Sequence, residues 1–336
     1  MLRALIKEAF ASFHAGSEGW QEEIVTGGHC NAKLSRAIEH VVDQTDSRIR
    51  AVPRYDQRLR GPVENVFRFV DNIVEDIPPP VNCKPSNFTR NPTIRALFTG
   101  PEHLKKVFSE SDSVRSFFDA DQKTEDCWAL LCMEKQERRQ AGMAMVNGRV
   151  MRDVYLTTVN FTDHQIMSPG NSEEDARCAL KSCIFNSLLV HAKREARDSI
   201  ARHARQEARL RTISQKLAVD DHSNITATLA LENEKKSLEK ALMGQPLRLM
   251  TPTDRLEHVI TVLQNPDQYV SECRHSMTLN NTNVLLDDGE AGNCVELSEI
   301  TVASHSARMA LLVRFPRSEL QPAPDFSRMA DVFLAN

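Results

Sequence analysis

The densest concentration of charged chemistry in this chain is basic. Between residues 193 and 216 stand Lys193, Arg194, Arg197, Arg202, Arg205, Arg209, Arg211 and Lys216, against Glu195, Asp198 and Glu207, for a net charge of +5. A helix carrying that excess attracts a phosphate backbone or an acidic protein surface. His203 is the one aromatic residue in the stretch, so base stacking is barely on offer. The ordinary use of such a segment is a solvated helix face, with i,i+4 pairs such as Asp198 with Arg202 and Glu207 with Arg211.

Metal and acid–base chemistry have thinner candidates. Cys273 and His275 alternate on an expected strand and so share a face, where Cys294 or His305 could join them from neighbouring strands. Their spacing matches no zinc pattern, and His29-Cys30 is weaker still, so no metal ligand is assigned. Asp163-His164 near a strand end could supply an acid/base pair. Adjacent strand residues point to opposite faces, however, and the expected outcome is a turn-forming Asp beside a separate His. Asp287-Asp288-Gly289-Glu290 has calcium-loop composition without the spacing or the closing acid, and reads as a turn. Nothing resembles a nucleophile elbow, a zinc-protease helix, a phosphate loop or a dinucleotide fingerprint. The balance of motifs therefore leans away from an enzyme, without settling the matter, and no cofactor is assigned.

Composition narrows the class further. The hydrophobic fraction of 41% and charged fraction of 26% are those of a globular chain, and the net charge of −4 excludes a surface built throughout for nucleic acid. No apolar run approaches the roughly 18 residues needed to span a bilayer. The first residues carry Leu2, Leu5, Ile6, Ala9, Phe10 and Phe13 at helical spacing with charges between them, which is an amphipathic helix rather than a signal peptide. A cytoplasmic, reducing location is the expectation. There the eight cysteines, without a C-x-x-C pair, serve as small buried apolar residues.

The elements that position these groups follow from periodicity and breakers. Residues 1–120 read as helical. One helix is expected over 32–49, and another opens with Pro62 in its first turn and buries Val63, Val66, Phe67, Val70, Ile73 and Val74. Pro78-Pro79-Pro80 stops it, and short helices follow around 93–98, 101–108 and 113–118. Over 121–171 the pattern changes to three or four antiparallel strands, with 127–133, 142–146 and 154–161 apolar or alternating and Asn147-Gly148 as a hairpin signal.

Ser172-Glu173-Glu174-Asp175 then starts a helix that meets no breaker until about Asp220. A shorter return arm runs from Ile225 to Met243 and ends at Gly244. Leu210, Ile213 and Leu217 should face Leu231 and Leu238. The first half of the long arm should be buried, with the strands as its expected support, and only the part beyond about Lys193 should project. Residues 245–320 supply a helix capped by Thr253 and strands near 269–278, 283–286, 295–303 and 309–315. A tail at 321–336 carries Phe326, Met329 and Phe333.

The reading is an α+β chain: an N-terminal helical region and a mainly antiparallel sheet interrupted by a long antiparallel helical hairpin, residues 172–244. Such a chain is expected to act as an interaction or scaffold protein, with the hairpin engaging a protein partner or a second copy. Phosphate binding through the basic helix 193–216 is the alternative, and an enzyme of unrecognised type is the third option. No membrane partner is expected.

Overall fold

The computed structural model describes residues 31–146, 149–219, 225–244, 251–287, 290–302 and 307–322. The expected amphipathic helix near the N-terminus, the C-terminal tail and the hairpin reversal at 220–224 lie outside them. Eight helices and six strands follow in the order α1 (Asn31–Gln44), α2 (Tyr55–Asp76), β1 (Val81–Asn82), α3 (Pro92–Leu97), α4 (Pro101–Ser109), α5 (Asp112–Ala120), β2 (Asp126–Val146), β3 (Arg149–Gly170), α6 (Glu173–Val219), α7 (Ile225–Gly244), α8 (Pro252–Gln264), β4 (Val270–Leu279), β5 (Asn293–Val302) and β6 (Arg308–Pro316). This is the α+β arrangement with the helical hairpin between two groups of strands. Among the described residues no helix is long and apolar enough to cross a membrane.

The described residues form two compact units, those within 69–184 and 267–322 in one, and those within 31–68 and 185–266 in the other. Both are built from segments distant in sequence.

The first unit is organised by the sheet. Its strands run β3-β2-β6-β5-β4, antiparallel throughout, so the strands before and after the hairpin join in one sheet. Tiny β1 adds in parallel to β6 at Val313 and Arg314. The segment 283–286, expected as a strand, is reduced to two bridges, Val284 to Thr158 of β3 and Leu285 to Leu279 of β4. Those bridges link the two outermost strands of the sheet, which covers part of each edge. One face of the sheet presents Ala129, Leu131, Met133, Val295, Leu297, Leu311, Val313 and Phe315. Ile94, Leu97, Phe98, Leu104, Phe108, Val114 and Phe118 of α3–α5 pack on it. Phe108 stacks on Phe315 with ring centroids 4.3 Å apart.

Several boundaries differ from the sequence pattern. The three or four expected strands of 121–171 are two very long ones, β2 and β3, because the polar run 134–141 is also extended and paired. Val146 and Arg149 pair on either side of Asn147-Gly148, which lie outside the described residues. β3 also carries three register shifts against β2, and each coincides with a non-glycine residue at positive φ: Asp153 at 62°, Asp163 at 49° and Ser168 at 54°. These are β-bulges, which re-aim side chains and increase the local twist.

The second unit is helical. α2 begins at Tyr55, so Pro62 lies two turns inside the helix rather than in its first turn. Its missing N–H and ring work against the helix there. Burial of Leu59, Val63 and Val66 around it offsets that cost. α1 ends at Gln44 and a 3₁₀ turn covers Ser47–Ala51, in place of one helix to residue 49. The cap of α8 is Thr251, whose Oγ1 accepts from the Asp254 N–H at 3.1 Å, and not Thr253, because Pro252 takes the first helical position.

Candidate functional site

The long helix α6 changes character at one residue. Ala176, Leu180, Ile184, Phe185, Leu188, Leu189 and Ala192 are buried, and beyond Ala192 only Ile213 is fully enclosed among the described residues. That is the break expected at Lys193. The support of the buried part differs from the expectation. In the sheet unit, Lys181 bridges to Asp71 of α2 at 2.7 Å, and Arg177 donates to the Val74 and Ile77 carbonyls. In the helical unit the neighbours are helices and not strands: Phe185 meets Phe67 at 5.4 Å, Asn186 accepts from His40 at 2.7 Å, and His258 of α8 lies 3.2 Å from the Ala192 carbonyl. A helix packs its apolar stripe on whichever apolar surface is nearest, and here α1, α2 and α8 supply it.

The distal part of α6 is a two-sided surface. Ala196, Ser199, His203, Gln206, Leu210, Ile213 and Leu217 are buried or half-buried and follow one another at alternating three- and four-residue spacing. Thr228, Leu231, Lys235, Leu238 and Leu242 do the same on α7. Both sets of leucines expected at the seam are therefore on it. The register is fixed by Arg209, whose Nε and Nη2 donate to the two carboxylate oxygens of Glu234 at 2.8 and 3.0 Å. Those bonds hold the Glu234 carboxyl below the usual range and raise the Arg209 guanidinium.

All eight basic residues, Lys193, Arg194, Arg197, Arg202, Arg205, Arg209, Arg211 and Lys216, are exposed. At ~100° per residue they spread over roughly half the helix circumference, opposite the seam, along about 35 Å of axis. Three have ion-pair partners: Arg194 with Asp198 at 3.8 Å, Arg209 with Glu234, and Arg211 with Glu207 at 3.7 Å. The expected Glu207–Arg211 pair forms. Asp198 turns to Arg194 and not to Arg202. Lys193, Arg197, Arg202, Arg205 and Lys216 have no ion-pair partner among the described residues. His203 lies in the seam with its side chain 14% exposed, so the outer face of this stretch carries no aromatic ring.

The other candidates separate. His275 lies 2.7 Å from Glu299, and Cys273 is exposed across from the same Glu299. Cys294 pairs with Thr278 on the opposite face and contacts Ser276 at 3.2 Å, so it does not join them. His305 and His29-Cys30 lie outside the described residues. No group of three or more His, Cys, Asp or Glu that could hold a metal ion occurs among the described residues. The cysteines are buried as expected at 83, 127, 132 and 178, half-buried at 183, and exposed at 273 and 294. Burial pushes the thiols of Cys127, Cys132 and Cys183 up to about 12.

Asp163 and His164 have separate partners, as expected of a turn-forming Asp beside a separate His. The Asp163 carboxylate accepts from Arg308 at 2.7 Å, while His164 donates from Nε2 to the Leu97 carbonyl at 2.9 Å and stacks on Phe98. Burial lowers the His164 pKa, and the same cause lowers that of His103, whose ring meets His164 edge-on at 5.2 Å. This arrangement pins α3 and α4 to β3 and offers no nucleophile. Residues 288 and 289 of the acidic turn lie outside the described residues.

One surface escapes the sequence reading altogether. Beyond Met133 and Phe161, β2 and β3 continue as a two-stranded ribbon that exposes Arg138, Arg139, Met143, Arg152 and Tyr155. Comparison with protein-family models, with curated proteins and with solved structures returns no match.

Proposed function

We propose that this is an interaction protein whose coiled-coil-like hairpin offers the outer face of α6, residues 193–216, to an acidic protein surface. The observation that carries the reading is the division of labour on that helix. Its apolar positions are used by the seam with α7, and its eight basic side chains stand on the other side, five of them without an ion-pair partner among the described residues. An array of unpaired guanidinium groups is suited to carboxylates, which it binds in a fork geometry. The absence of an aromatic ring on this face favours a protein partner over stacked bases.

Phosphate contact is the second reading, favoured by the net charge of +5 on 193–216. One experiment separates the two. The intact chain and the variant R197E/R202E/R205E, which leaves the Arg209–Glu234 pair in place, are used to capture partners from nuclease-treated extract of the native cell. A protein retained by the parent and lost with the variant supports the first reading. Capture that disappears on nuclease treatment, or duplex binding that falls steeply with salt and is abolished by the variant, supports the second. Identical capture by parent and variant overturns both.

A further inference from the structure

The β2–β3 ribbon belongs to the sheet unit and owes nothing to the hairpin. A two-stranded ribbon is marginal by itself, yet the pairing runs on past the buried Val159 and Phe161 to Val146 on β2 and Arg149 on β3. Its two outer edges are not equivalent. The β3 edge is engaged at Thr157 and Val159 by Leu285 and Asn283, at 2.8 Å each, and farther out it is broken by the bulge at Asp153. A bulge and a covering segment are the usual ways of closing an edge. The β2 edge has neither. From Glu134 to Gly142 its register against β3 is unbroken, and on its other side β6 pairs only as far as Met133. Alternate residues along this stretch, Lys135, Glu137, Arg139 and Ala141, therefore turn their backbone N–H and C=O away from β3, where no strand pairs with them among the described residues.

The side chains of that ribbon are selective. Arg139 pairs across from Thr157 and Ala141 from Tyr155, so Arg139 and Tyr155 share a face, and the guanidinium lies 5.5 Å from the ring centroid. Met143 follows by alternation on that face. Tyr155 is 69% exposed and Met143 is 65% exposed, two of the four large hydrophobic residues exposed among those described. Arg138 on the other face and Arg152 are exposed without an ion-pair partner among the described residues. Tyr, Met and Arg are the residues enriched where proteins bind proteins. Single-stranded nucleic acid would find one stacking platform here, Tyr155, and cannot use an open backbone edge.

We infer that the β2 edge from Glu134 to Gly142 accepts an extended acidic segment of another protein as an added strand. Backbone hydrogen bonds hold the segment, and carboxylates opposite Arg138 and Arg139 set its register. Strand addition to an exposed edge draws affinity from the main chain and specificity from alternate side chains.

The test uses the full chain and a fluorescein-labelled nine-residue peptide of alternating threonine and valine with two central glutamates. A second peptide has the same sequence with alternate backbone amides N-methylated, and single-stranded DNA of similar length is the third probe. Anisotropy is read at physiological salt, with hydrogen exchange on β2. The expected result is binding of the first peptide that N-methylation weakens by about tenfold or more, that R138E/R139E weakens similarly without altering the thermal transition, and that protects amides within 134–142. Equal binding of the methylated peptide, tighter binding of DNA, or no binding up to about 1 mM peptide overturns the inference. A concentration-dependent dimer abolished by R138E/R139E also overturns it, by assigning the edge to a second copy.

Discussion

Ile213 decides whether the two arms of the hairpin are held by apolar burial or by charge. It is 0% exposed, the one fully enclosed side chain of α6 beyond Ala192 among the described residues. Replacing a buried Ile by Ala costs about 2–5 kcal/mol, depending on how far the site collapses. A site between two helices with solvent on both flanks can partly close, so the lower part of that range, about 2–3 kcal/mol, applies to I213A. The Arg209–Glu234 pair has good geometry, but its side chains are 51% and 40% exposed. Water and salt screen such a pair and leave it a minor contribution. The readout is hydrogen exchange of α7 peptides in the intact chain. A loss of 2–3 kcal/mol accelerates exchange limited by local opening by roughly 30- to 150-fold. I213A should show that acceleration in α7, and R209A should show a small fraction of it. Equal acceleration in the two variants, or a larger effect of R209A, would refute the argument that the seam is held by burial.

Other parts of the structure make separate predictions. Phe108 is fully buried and stacked on Phe315 in the core, so F108A should lower unfolding free energy by about 3–5 kcal/mol in urea titrations, and a loss below about 1 kcal/mol would contradict that packing. Ser168 combines φ of 54° with a buried Oγ that has no hydrogen-bond partner, so S168G should stabilise the chain by about 1–2 kcal/mol, measured as a raised denaturation midpoint. His40, His103 and His164 all have pKa values lowered from 6.5, mainly by burial. Unfolding then takes up protons, so their stabilising contribution is complete above about pH 6.5 and is lost as pH falls through the depressed values. Stability should drop as pH falls below about 6.5, and H164Q, which keeps a donor for the Leu97 carbonyl, should flatten the slope. A parent slope of zero or opposite sign would count against this account.

The hairpin was legible in the sequence because more than forty residues between Ser172 and Asp220 contain neither Gly nor Pro, and its apolar residues thin out at Lys193. The eight basic residues were equally plain, since a run of like charges is a local property. Their pairing was not. Glu234 of the return arm reaches across to Arg209, a contact set by arm register and not by spacing. The ribbon was hidden for a different reason. Residues 134–141 read Glu-Lys-Gln-Glu-Arg-Arg-Gln-Ala, and a strand that faces water on both sides has no reason to alternate. Its bulges at Asp153, Asp163 and Ser168 use Asp and Ser where glycine would have given a signal. The length of α2 was misjudged because Pro62 is a strong local stop signal that tertiary burial of Leu59 and Val63 overrides.

The central claim is that the outer face of α6 meets carboxylates of a protein partner. Zero-length carbodiimide cross-linking of the intact chain with its captured partner, read by mass spectrometry, tests it directly, because the reagent joins lysine amines only to carboxylates in contact. Lys193 and Lys216 lie at the two ends of the basic face and are both exposed. The account predicts cross-links from these lysines to Asp or Glu of the partner, lost in R197E/R202E/R205E. Cross-links confined to lysines outside 193–216, at equal yield in the variant, would contradict it.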